Sequence, residues 1–141
     1  MFKKMVAVSG GFDPVHVGHL RMFEAAKQLG NHLTVIVNND DWVNRKKGDC
    51  FMSAVERAEI IKGFHCVDRV IIQRYARDDV CEELRELKPD IFANGGDRKS
   101  CQDIPERAVC EVLGIAMIFH VGGGKIQSSS KLHKNYKPTK K

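Results

Sequence analysis

Apolar positions along the chain fall into two patterns, short unbroken runs and a three-to-four-residue spacing, and the two take turns. Met5-Val6-Ala7-Val8 reads as a short buried strand that ends at the glycine pair Gly10-Gly11. From Gly18 to Leu29, Leu20, Phe23, Ala25, Ala26 and Leu29 share one side, while Arg21, Glu24, Lys27 and Gln28 share the other. That spacing predicts an amphipathic helix, closed by Gly30-Asn31. His32 to Val37 is a β-branched run typical of a parallel strand covered on both faces. A strand, helix, strand unit of this length implies a right-handed crossover. Asn38-Asn39-Asp40-Asp41 suits a turn or a helix cap, and residues 42–52 are expected to form a loop.

Ser53 is placed to cap a helix over residues 54–64, with Glu56 in the capping-box position. Val67 to Ile72 is the third predicted strand. A helix follows from Arg77 to Leu87, with Val80, Leu84 and Leu87 inward and Asp78, Asp79, Glu82, Glu83 and Glu86 outward. Pro89 stops it, and Asp90 to Asn94 is the fourth strand. Residues 105–113 predict another helix, with proline tolerated in its first turn, and Ile115 to Phe119 the fifth strand. The alternation implies an α/β domain with a parallel sheet and helices on both faces.

The chain has 141 residues, the size of one domain. No stretch approaches the roughly 18 uninterrupted apolar residues of a membrane span, and the N-terminus reads as a strand rather than a signal peptide. Five cysteines, at 50, 66, 81, 101 and 110, have neither zinc-like spacing nor an even number, so a reduced, cytoplasmic protein is expected. The formal charge of +5 comes from five lysines in the last eleven residues, the rest balancing 18 basic against 18 acidic groups. A domain over residues 1–132 whose first 130 residues are neutral, with a basic tail over 133–141, argues against a broad nucleic-acid surface.

Candidate chemistry concentrates where the first strand meets the first helix. A strand, a tight glycine turn and a helix N-terminus form a place to hold phosphate. The spacing there is neither that of a dinucleotide fingerprint nor that of a phosphate loop ending in Gly-Lys-Ser or Gly-Lys-Thr. What the stretch adds is His16 and His19, two imidazoles three residues apart. They can reach one anionic group together, or they can cap the helix and pack. Arg45-Lys46-Lys47-Gly48 sets three cations beside a flexible residue, as a solvated run or a phosphate-facing loop. Asn94-Gly95-Gly96-Asp97-Arg98 follows the fourth strand, where a glycine pair permits close backbone approach or a plain turn. Gly122-Gly123-Gly124-Lys125-Ile126-Gln127-Ser128-Ser129-Ser130 loosens the chain before a last short helix, whose serines can cap it or hold phosphate oxygens.

Gly11-Phe12-Asp13-Pro14-Val15-His16-Val17-Gly18-His19 resembles the signature of the cytidylyltransferase-like nucleotidyltransferases, His-x-Gly-His after Gly-x-Phe-Asp. Lys47-Gly48 resembles the Lys-Gly of their sugar-phosphate and glycerol-phosphate branches. Glu56-Arg57 resembles the start of their Glu-Arg-x-x-x-Leu helix, with Ile61 for leucine. Gly95-Gly96-Asp97 resembles the heptose-phosphate adenylyltransferase branch, and Ser128-Ser129-Ser130 the family's Ser-Thr-Thr. The glycerol-phosphate enzymes carry an arginine where this chain has Gly123, and Lys125 is no positional substitute for it. The resemblance spans roughly residues 5–132.

It implies a small Rossmann-like, doubly wound parallel sheet and an enzyme that joins a nucleoside triphosphate, ATP or CTP, to a phosphorylated small molecule, releasing pyrophosphate. His16, His19 and Lys47 would be catalytic. Gly10, Gly11, Phe12, Asp13, Gly18, Gly95, Asp97, Gln127, Ser128, Ser129 and Ser130 would hold the nucleotide, and Arg57, Arg98 and Lys125 the acceptor. Mg2+ would accompany the triphosphate, with Asp13 and Asp97 able to hold it through water, and a homodimer is expected. The middle motif and Gly123 favour a sugar-phosphate acceptor and ATP. The alternatives are a glycerol-3-phosphate or phosphonate cytidylyltransferase, an FMN adenylyltransferase, or a non-catalytic nucleic-acid-binding module.

Overall fold

The computed structural model describes residues 3–74, 79–95 and 105–122, apart from the side chain of Lys47. The elements follow in the order β1 (Met5–Gly10), α1 (Val17–Lys27), β2 (His32–Val37), α2 (Asp40–Lys47), α3 (Ala54–Lys62), β3 (Arg69–Ile72), α4 (Cys81–Leu87), β4 (Ile91–Gly95), α5 (Glu106–Leu113) and β5 (Ala116–Val121). The strands form one sheet in the order β3-β2-β1-β4-β5, with every described pair parallel. The α/β expectation holds.

Two apolar layers sandwich this sheet. Val6, Val8, Leu33, Val35, Ile91 and Ala93 face one way and pack with Phe23 and Ala26 of α1 and Ile61 of α3. Ala7, Ile36 and Phe92 face the other way and pack with Val80, Cys81 and Leu84 beside α4 and with Val109 and Cys110 of α5. Because both faces are covered, the central strands need apolar residues at successive positions, which is why they read as runs. Strand order reverses between β1 and β4, and the crevice beyond their carboxyl ends is where doubly wound sheets bind ligands.

One predicted loop is a helix. Asp40–Lys47 is helical because the Asn39 side chain accepts a hydrogen bond from the Trp42 amide at 2.8 Å and Val43 is fully buried. Its remaining residues are too polar to show a helical stripe. The predicted helix from Arg77 begins, among described residues, at Cys81, whose amide is held by Asp79 Oδ1 at 3.0 Å. Glu83, expected outward, is buried and accepts from the Arg74 amide at 3.0 Å. None of the described helices is long and apolar enough to cross a membrane.

Candidate active site

The imidazole pair sits at the amino end of α1, against the carboxyl rim of the sheet. His16 is the N-cap: its Nδ1 accepts from the Gly18 amide at 3.1 Å, and His19 Nδ1 accepts in return from the His16 amide at 3.2 Å. This reciprocal cap uses one nitrogen of each ring as an acceptor, so in the neutral rings the proton belongs on Nε2. The rings stack with centroids 3.8 Å apart and planes 20° from parallel. Two Nε2–H donors on stacked rings, at a helix N-terminus with no acidic residue in its first turn, form a site suited to a polyanion. Phe12 fixes the arrangement from below. It is buried at a φ of 53° and meets the His19 ring edge-on at 4.9 Å and Phe23 at 5.1 Å. Gly10 makes room for it, since a Cβ there would lie 2.9 Å from the Phe12 ring.

Asp13 and Arg57 hold the surrounding loops. Asp13 is fully buried, its two carboxylate oxygens accepting from the Phe51 and Met52 amides, each at 2.6 Å. It ties the histidine loop to residues 51–52. Arg57 is fully buried too. Its guanidinium donates to the carbonyls of Met52 (2.9 Å), Gly11 (2.6 Å) and Asn38 (2.8 Å) and to Asp40 Oδ1 (2.7 Å). Asp40 accepts as well from the Ala54 amide at 2.7 Å and the Cys50 thiol at 3.3 Å. Burial works against its charge, but hydrogen bonds from Arg57, Cys50 and Ala54 outweigh that and hold the carboxyl below its ordinary range. Burial and the adjoining Asp40 push the Cys50 thiol up to about 11, so it stays protonated at neutral pH. Alongside, Gln73 accepts from the Asn39 amide at 3.1 Å and stitches the ends of β2 and β3 together.

One expectation is thereby corrected. Arg57 is an organiser of the loops rather than an acceptor-binding residue, because its guanidinium is spent on protein oxygens and has no exposed surface. Asp13 anchors the loop at residues 51–52. Gly18 contributes its amide to the cap. Gly95 lies at the end of β4, where a Cβ would meet Met22 of α1 at 2.7 Å, so close helix packing requires glycine. Lys47 ends α2, but its side chain lies outside the described structure. Gly96, Asp97, Arg98, Gly123, Lys125, Gln127, Ser128, Ser129 and Ser130 also lie outside it, as does the tail. Among the described residues no group of three or more His, Cys, Asp or Glu is placed to hold a metal ion. Sequence reasoning missed Asp40, whose role depends on a partner 17 residues away, and Asn94, whose burial no local pattern announces.

The cytidylyltransferase-like family model matches residues 7–116, which take in the imidazole pair, Arg57 and the sheet from β1 into the start of β5. The chain belongs to the cytidylyltransferase-like family. As a member it is a nucleotidyltransferase, with nucleotide and phosphorylated acceptor as its substrate classes. An FAD synthase of Pyrococcus horikoshii is 35% identical over 118 residues, covering 82% of this chain and 79% of that protein. The bifunctional protein HldE of Citrifermentans bemidjiense is 36% identical over 125 residues, or 86% of this chain, which spans only 25% of that longer protein. A crystal structure of a lipopolysaccharide core biosynthesis protein from Thermoplasma volcanium superposes with a TM-score of 0.74 at 27% identity, covering 89% of this chain and all of that one. Cytidylyltransferase-like architecture is thus shared across relatives whose names point to different products.

Proposed function

We propose that the chain transfers the adenylyl group of ATP to a phosphorylated acceptor, FMN being the first candidate, and releases pyrophosphate. The stacked imidazole pair carries the reading: two Nε2–H donors at a helix N-terminus suit a triphosphate. The FAD synthase likeness, which runs along most of both proteins, moves the preferred acceptor from a sugar phosphate to FMN. A heptose phosphate is the second reading, supported by Gly95-Gly96-Asp97 and by the partial match to HldE.

An acceptor phosphate oxygen attacks the α-phosphorus, the new P–O–P linkage forms, and the bond to the bridging oxygen breaks so that its electron pair leaves with pyrophosphate. The attacking phosphate is already anionic near neutral pH and needs no general base. Catalysis is then positional and electrostatic, with His16 and His19 donating to phosphate oxygens as charge shifts onto the leaving group. Magnesium would accompany the triphosphate and offset its charge, with Asp13 and Asp97 the carboxylates that would hold it through water. The family resemblance of Lys47, Ser128 and Ser129 adds them to the residues expected to contact phosphate.

The test is a pyrophosphate-release screen of four nucleoside triphosphates against FMN, heptose 1-phosphate, glycerol 3-phosphate and a phosphonate. ATP with FMN is expected to give the highest turnover. Activity confined to CTP and glycerol 3-phosphate overturns the choice of both substrates, and no release with any pair overturns nucleotidyl transfer.

A further inference from the structure

Asn94 is 7% exposed, and its side-chain amide nitrogen has no hydrogen-bond partner among the described residues. A buried donor left unmade is costly, so its retention asks for a ligand that satisfies it. Its place in the fold says which. Asn94 stands one residue from the carboxyl end of β4, beside the reversal of strand order between β1 and β4. Along β4, Ile91 and Ala93 face the α1 layer and Phe92 the layer of α4 and α5. Gly95 again faces α1, its nearest neighbour being Met22. Asn94 therefore points to the side opposite α1.

In-line displacement puts the attacking and leaving oxygens on opposite sides of the phosphorus. His16 and His19 hold the leaving phosphates at the amino end of α1, so the nucleophile comes from the α4 and α5 side, where Asn94 is. We infer that Asn94 is a positioning residue for the phosphorylated acceptor, its Nδ2–H donating to an oxygen of that molecule. This rests on the proposed nucleotidyl transfer. It also assigns the acceptor an oxygen near the floor of the crevice, which FMN and a sugar phosphate both provide.

The test uses Asn94→Leu, close in shape without the donor, and Asn94→Ala as a smaller second variant. Acceptor KM, ATP KM, kcat and melting temperature are measured for each, with the acceptor that the wild type turns over. Without acceptor, Asn94→Leu is expected to melt no lower than wild type, since a buried unpaired polar group is gone. KM for the acceptor should rise about tenfold or more while KM for ATP stays within about twofold. An unchanged acceptor KM in a folded variant, or a loss confined to ATP, overturns the assignment to Asn94 alone. Absence of turnover in the wild type overturns the functional reading and this inference with it.

Discussion

Each ring of the imidazole pair divides its two nitrogens between structure and chemistry. Nδ1 caps α1, so of the two alternatives that the spacing of His16 and His19 leaves open the capping one is realised, and in the proposed function Nε2 of each ring meets phosphate. The roles separate by substitution. Asparagine is a good N-cap but carries no imidazole. His16→Asn should keep its melting temperature within a few degrees of wild type while pyrophosphate release falls about a hundredfold or more. His16→Ala should lose a similar factor in turnover and about 1 kcal/mol of stability as well. Near-wild-type turnover by folded His16→Asn would return His16 to capping alone. A three-residue spacing is legible because a helix brings such positions together. The tautomer is not, because it is set by two backbone amides whose directions exist only once the cap has formed.

Among elements, the least legible was α2, which depends on contacts from far along the chain. Among its described side chains only Val43 is fully buried, and its first residue, Asp40, is fixed by Arg57 and the Ala54 amide. Local patterning registers neither. The strands were easier, because two-sided burial demands the apolar runs that the sequence shows, although their ends shift by a residue or two as hydrogen bonding continues past the last apolar position. Arg57 likewise sits on a helix whose start at Ser53 is legible, but nothing local separates a buried organiser from a surface arginine. Arg57→Lys tests the organiser directly. Lysine cannot reproduce a planar fork that reaches three carbonyls and a carboxylate. Stability should drop by roughly 3 kcal/mol, the scale for breaking a buried charged network, and KM for both substrates should rise together. A urea midpoint equal to wild type would show that Arg57 is dispensable to the loops.

Charge on the whole molecule is arranged at both ends of the sheet. At the carboxyl rim Asp40 is paired with Arg57. At the amino end Asp68 accepts from Lys27 and, at 2.8 Å, from the Leu33 amide, next to His32 at the start of β2. Burial opposes the Asp68 charge, but the bonds from Lys27 and Leu33 prevail, so its carboxyl, like that of Asp40, lies below the ordinary 3.8. Groups with a depressed folded value add stability above their unfolded value and lose it as pH falls through the folded one. For the two carboxyls that loss lies on the acid side of pH 3.8. His32 is also depressed, first by burial and then by the charge of Lys3, from an ordinary 6.5. Its charged form is disfavoured in the fold, so stability begins to fall as pH drops below 6.5. The melting temperature should therefore be flat between about pH 7 and about pH 8, decline gently below about 6.5, and decline steeply below about 4. His32→Gln should remove the gentle decline and leave the steep one, whereas Asp68→Asn should melt lower at pH 7 with a weaker acid fall. A wild-type melting temperature unchanged between pH 7 and pH 5 would rule out the His32 contribution, and the steep fall alone would then assign acid sensitivity to the two carboxylate clamps.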